Sequence, residues 1–182
     1  MMATLRNLVA FQVCWFTSVL GAAHGMPWIG PLVTAAWLVA HVLAQRSAAS
    51  VEMKLVIVAG ALGWFADSAL VLAGLLAFPE VTLLGGPSPL WMVGLWAAFA
   101  ATLRHSLGWL RGRWLLAAVF GAVGGPAAYL GGQALGAINV MGSAGAVAVG
   151  VQYAIVMPLL LLLLRRLEYG AALAVPATET SS

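Results

Sequence analysis

Positive charge appears in only every second gap between this chain's long apolar runs, and that alternation leaves it few ways to fold. The runs lie at about 6–23, 28–44, 52–77, 89–109, 114–136 and 142–164. Arg6 precedes the first run, and Arg46 and Lys54 lie around the second gap. Arg111 and Arg113 fill the fourth gap, with Arg104 near the same end of its run, and Arg165 and Arg166 follow the sixth. The other gaps contain no Lys or Arg. A bilayer-spanning helix takes ~20 apolar residues, and Lys and Arg are retained on the cytoplasmic side. Threading the six runs alternately through a membrane puts all eight Lys and Arg on one side. A miscounted run would scatter them, so the count and the orientation support each other.

The expected fold is therefore an all-α membrane protein, a six-transmembrane-helix bundle with both termini cytoplasmic. Residues 1–166 form its single domain and 167–182 a disordered cytoplasmic tail. Only 7% of the 182 residues are charged, against about a quarter in soluble domains, so lipid must cover most of the surface. The runs are continuous rather than alternating every second residue, which favours helices over a barrel. The first run resembles a signal peptide in outline, but Gln12, Thr17 and Ser18 interrupt it and Trp15-Phe16 are bulky, so it is expected to stay. The lone Cys14 permits no internal disulfide. Small-xxx-small pairs at Gly21/Gly25, Gly121/Gly125 and Gly132/Gly136 predict close helix packing, within the bundle or at a homodimer face.

Ionisable side chains inside spans are costly and invite a reason. Counting up from Lys54 at 1.5 Å per residue puts Asp67 ~20 Å from the cytoplasmic end, beyond the midplane. Trp64 shares its helical face. Gly124-Gly125-Pro126 should kink or break the fifth helix, and with Tyr129, Gln152 and Tyr153 it reaches a similar depth. Broken helices free backbone groups, as in the midplane sites of transporters. The plainer alternative is that Asp67 hydrogen-bonds Tyr or Gln and locks the bundle.

Arg104 lies ~9 Å from the cytoplasmic surface by the same count, within snorkelling reach. It differs from Asp67 in depth by ~11 Å, so direct pairing is not expected. His105, His41 and Gln12 fall near the level of Arg104. Together these four could form an inner-leaflet pocket for a lipid phosphate or another anion; the plainer alternative is two interfacial histidines bonded to carbonyls or water. Two histidines are too few to argue for haem, and no metal-ligand spacing, phosphate loop, nucleophile motif or nucleic-acid module is present. No cofactor, metal or nucleic-acid partner is expected.

FQVCWF, GMPWIGP, the helix bearing Asp67, PLWMVGLWAAFAATLRHSLGWLRG and GAVGGPAAYLGGQALGA together resemble a family of small bacterial inner-membrane proteins catalogued as a domain of unknown function. The resemblance covers about Leu5 to Arg166. It implies an uncleaved, multi-pass protein of the bacterial plasma membrane and assigns no activity. It singles out Trp15, Trp28, Asp67, Trp91, Trp96, Arg104, His105, Gly125, Pro126 and Tyr129 as members of its recurring strings.

Three functional readings follow. The first is a protein that binds or carries a small or lipid-like solute at a midplane site around Asp67. The second is a membrane-embedded lipid-modifying enzyme gripping a headgroup with His41, Arg104 and His105. The third is an accessory subunit that stabilises a partner membrane protein through its Gly- and Ala-rich helices.

Overall fold

The computed structural model describes residues 2–79 and 86–173. Among these there are six α-helices: α1 (Met2–Ala23), α2 (Ile29–Ala44), α3 (Ala49–Leu72), α4 (Leu90–Ala100), α5 (Trp114–Ala134) and α6 (Gly142–Leu173). Three segments are long and apolar enough to cross a membrane: 46–72, which joins a short 3₁₀ turn to α3, then α5 and α6. Helices α2 and α4 are shorter apolar helices. Many large apolar side chains face outward, among them Leu32, Leu43, Ile57, Phe65, Leu115, Val123 and Ile155, the surface expected of a chain solvated by lipid. Helix α5 packs against α6, α6 against α3, α3 against α4, and α4 against α1 and α2.

One end of the bundle is closed by backbone geometry. Helices α1, α3 and α5 each stop at a glycine with positive φ: Gly25, Gly74 and Gly136. After each glycine an N–H reaches back five residues, Met26 to Gly21, Leu75 to Leu70 and Ala137 to Gly132, which satisfies a last-turn carbonyl in a Schellman arrangement. Two two-residue strands then pair antiparallel, β1 (Leu76–Ala77) with β2 (Asn139–Val140). The side chain of Gln133 accepts from Val140 N–H at 2.7 Å.

Several expectations need correction. Of the kink or break expected in the fifth helix, a break is absent, since α5 is one helix through Gly124, Gly125 and Pro126. Pro126 removes the bond to the carbonyl of Ala122, and the α6 backbone closes over that point: a Cβ on Gly150 would stand 3.1 Å from the Ala122 oxygen and 3.4 Å from Pro126 Cγ. The irregular segment lies in the fourth run instead. Helix α4 ends at Ala100, turns follow over 101–107, and a 3₁₀ turn covers Gly108–Leu110. Non-helical backbone at membrane depth must be enclosed and hydrogen-bonded, and here it is. Ala100, Ala101, Thr102 and Leu103 are buried. The Thr102 hydroxyl donates to the Phe99 carbonyl at 2.6 Å, and the Asn7 amide of α1 donates to the Ala101 carbonyl at 3.1 Å.

Helix α6 continues to Leu173, so residues 167–173 are helical rather than disordered; residues 174–182 lie outside the described residues. Of the three small-residue pairs, only Gly121/Gly125 mediates helix packing. A Cβ on Gly121 would overlap the Tyr153 carbonyl of α6, and one on Gly125 would overlap the Tyr153 ring. Gly25 and Gly136 are helix-ending turn residues instead.

Candidate functional site

The buried face of α3 reads Glu52, Leu55, Val56, Ala59, Gly60, Gly63 and Asp67, steps of three and four that keep one stripe inward. Two fully buried carboxylates therefore face the bundle from one helix, separated by 15 residues or about 22 Å of rise. Each organises a different group of side chains.

At Asp67, three neutral donors converge. Trp96 of α4 donates to Oδ2 at 2.8 Å, while Tyr129 of α5 and Gln152 of α6 donate to Oδ1 at 2.6 and 2.8 Å. One carboxylate thus ties four helices together. Trp96 reaches it by lying across Gly63, where any Cβ would collide with the indole. Tyr153 stacks on Trp96 with ring centroids 4.6 Å apart and meets Tyr129 edge-on at 5.8 Å, an approach that Gly125 makes room for. The residue types expected around Asp67 are thus brought together, with two exceptions. Trp64 turns aside onto Phe65 and Gly86, because residues three apart share a face without sharing a partner. Pro126 packs on Gly150 instead. The network matches the plainer alternative: Asp67 hydrogen-bonds Tyr and Gln and locks the bundle. Trp96, which supplies one of the three bonds, was legible only as a member of a recurring string.

The aromatic half of this network forms one wall of a cavity of about 230 Å³. Its lining includes Phe11 and Trp15 of α1, Trp96 and Phe99 of α4, and Phe120, Gly124 and Tyr129 of α5. Helices α1 and α5 approach near Trp15 and Gly131, where a Cβ on the glycine would stand 3.5 Å from the indole. The lining is almost wholly apolar, with Thr102 and Ser106 at one end. Ser106 Oγ donates to Asn7 Oδ1 at 2.7 Å.

At Glu52, three basic side chains converge. His41 Nε2 lies 3.4 Å from Oε2, His105 Nε2 lies 3.2 Å from Oε1, and Arg104 Nη1 donates to Oε1 at 3.3 Å. The two imidazoles meet edge-on at 5.1 Å, and Trp37 flanks His41 at 5.3 Å. Arg104 also donates from Nε to Glu168 Oε1 at 2.9 Å, and Arg111 forks onto both oxygens of Glu168 at 3.1 and 3.3 Å. That clamp accounts for the extra turns of α6. Arg104 makes no bond to Asp67, as the depth argument requires.

Three of the four residues expected at the inner end come together, but around the protein's own carboxylates Glu52 and Glu168 rather than around an open anion site. These are His41, Arg104 and His105; Gln12 is exposed, and the buried Asn7 of α1 bonds the Ala101 carbonyl and Ser106 rather than the cluster. The centre of the cluster is Glu52, at the start of the third apolar run, which was not among the candidate site residues read from the sequence. Its signal was present: Glu52 falls on the stripe that contains Asp67, whereas Lys54 does not.

The profile of the family described as "Protein of unknown function (DUF2878)" matches residues 4–159. No curated protein and no solved structure matches the chain.

Proposed function

The chain belongs to the DUF2878 family of proteins of unknown function, and from that premise we propose that it binds a lipid-like solute by holding an apolar chain between α1, α4 and α5. The observation that carries this reading is the aromatic and aliphatic lining of the cavity. At about 230 Å³ it is smaller than the ~300–1,000 Å³ of pockets that enclose whole drug-sized ligands. It suits a section of hydrocarbon chain, with the ligand's polar end at Thr102 and Ser106. Asp67 contributes as the post that fixes Trp96 and Tyr129, two residues of the cavity lining, rather than as a group that touches the solute.

Gly124 offers the test. A Cβ there meets only the Phe120 ring edge, at 3.9 Å, and Gly124 lines the cavity, so a larger side chain at this position takes up cavity space. Gly124→Leu should leave the fold intact and reduce the lipid that copurifies with the detergent-solubilised protein by about tenfold, the 1.4 kcal/mol that a lost hydrophobic site readily exceeds. Equal lipid recovery from the variant, by mass spectrometry of the purified protein, would sink the reading.

The proposed setting is a bacterial inner membrane crossed six times, with both termini cytoplasmic. Supporting it, the Arg104–Glu168–Arg111 clamp and the Glu52 cluster gather at one end of the bundle, away from the glycine turns and the β1–β2 pair. Reporter fusions after Gly25 and Gly136 should report the periplasm, and fusions after Arg46 and Gly112 the cytoplasm. A cytoplasmic signal at Gly25 would reverse this assignment.

A further inference from the structure

The Glu52 cluster contains two buried polar atoms left without a hydrogen bond although they face one another: His41 Nε2 and Glu52 Oε2. They stand 3.4 Å apart, and the side chains are 7% and 0% exposed. A nitrogen and a carboxylate oxygen buried in this way need a proton or an ion held between them. The third member, His105 Nε2, is 3.2 Å from the other oxygen of the same carboxylate. One ligand atom from each of the three residues can be chosen so that all lie within 4.8 Å of one another.

We propose that His41 Nε2, His105 Nε2 and the Glu52 carboxylate together bind one divalent first-row transition-metal ion. Two ligands each ~2.0–2.2 Å from a tetrahedral zinc are about 3.4 Å apart, the separation of His41 Nε2 from Glu52 Oε2; His105 Nε2 stands beside the same carboxylate, 3.2 Å from Oε1. Two imidazoles and one carboxylate select zinc, iron, cobalt or nickel over magnesium and calcium, which require oxygen donors. Three protein ligands leave at least one position open for water or a substrate atom.

The nearby guanidinium does not forbid the ion. Arg104 bonds only to Oε1, leaving Oε2 free, and its charge is balanced by Glu168. A donor on the outer oxygen of a ligating carboxylate is a common supporting contact in metal sites. Position adds interest. Thr102, Ser106 and Leu107 line the apolar cavity, while Arg104 and His105, between them in sequence, reach the other way to Glu52. One buried non-helical segment thus separates the ion from the polar end of the cavity. The proposal stands without the solute-binding reading, since the ligands are none of the cavity's lining residues.

The experiment uses the full chain in detergent, stripped with a chelator and titrated with Co²⁺, whose visible bands report ligation directly. One Co²⁺ per chain is expected, displaceable by Zn²⁺. Affinity should fall more than about tenfold, the lower bound for changes even in supporting residues, in His41→Ala, His105→Ala and Glu52→Gln. His24→Ala, which removes a histidine that bonds only the Leu20 carbonyl, should bind as the parent does. X-ray absorption of the parent Co²⁺ form should show two imidazoles, a readout that stands even if a variant fails to fold. Substoichiometric Co²⁺, no imidazole scattering, or equal affinity in folded His41→Ala and His105→Ala would overturn the proposal and leave the cluster an ion-pair latch.

Discussion

Asp67→Ala lowers the stability of the solubilised protein by about 3–5 kcal/mol, the expected size when a buried polar hub is removed from partners that cannot reach water. The substitution deletes one residue's contacts but leaves three donors stranded: the buried Trp96 indole N–H and Tyr129 hydroxyl, and the part-buried Gln152 amide. Each unpaired donor costs about 1–3 kcal/mol, with some recovered by local rearrangement. Asp67→Asn should cost less. It keeps one acceptor oxygen but turns a donor NH₂ towards at least one of the three donors, so a loss of about 1–3 kcal/mol is expected. Unfolding midpoints in detergent measure both. A cycle with Tyr129→Phe separates coupling from simple loss, because the two changes share one bond and should not add. If Asp67→Ala unfolds at the parent's midpoint, Asp67 is no post, and its carboxylate must be held for some other purpose.

Glu52→Ala is the second large effect, also about 3–5 kcal/mol when measured in the presence of a chelator. Here the stranded groups are cationic or can become so. The carboxylate is fully buried while Arg104 remains 25% exposed, so Arg104 can turn partly to solvent and to Glu168, but His41 cannot. The loss should therefore fall mainly on the contact between α2 and α3. Arg104→Ala in the Glu52→Ala background should add less than it does alone, since the two residues share a bond. Full additivity would show that Arg104 acts through Glu168 alone. Neutrality of Glu52→Ala would remove the cluster from any account of stability.

The comparison of these two sites also shows what a sequence can disclose about a chain of this kind. Asp67 was conspicuous because hydrophobic context surrounds it on both sides, and depth counting correctly kept it away from Arg104. Its partners Tyr129 and Gln152 were legible for the same reason, being polar atoms at matching depth. Trp96 was not, because tryptophan in an apolar run is read as packing, and its N–H gains meaning only once Gly63 is seen to admit the ring. Glu52 was hidden by Lys54 and the preceding serines, which give the segment the look of a loop; the three-and-four spacing to Asp67 outweighs that local composition.

The misplaced break has a similar origin. Proline marks where a helix loses one bond, but whether the helix ends depends on what covers the freed carbonyl, and Gly150 covers it. The real departure from helix, after Ala100, carries neither proline nor glycine at its start. It rests on two side-chain bonds, from Thr102 and from Asn7, and Asn7 is 94 residues away from the carbonyl it serves. No local window contains that information.

The spacing of Glu52 from its partners along the chain sets an order in time during synthesis. His41 precedes Glu52, so that imidazole is already present when the carboxylate leaves the ribosome. Arg104 and His105 follow only 52 and 53 residues later, an interval of roughly 3–10 s at 5–20 residues per second. Throughout that interval His41 is the one member of its later cluster that Glu52 can reach within its own hairpin. The cluster that ends as a four-residue knot begins as a pair, and α2 and α3 can be joined before α4, α5 and α6 exist.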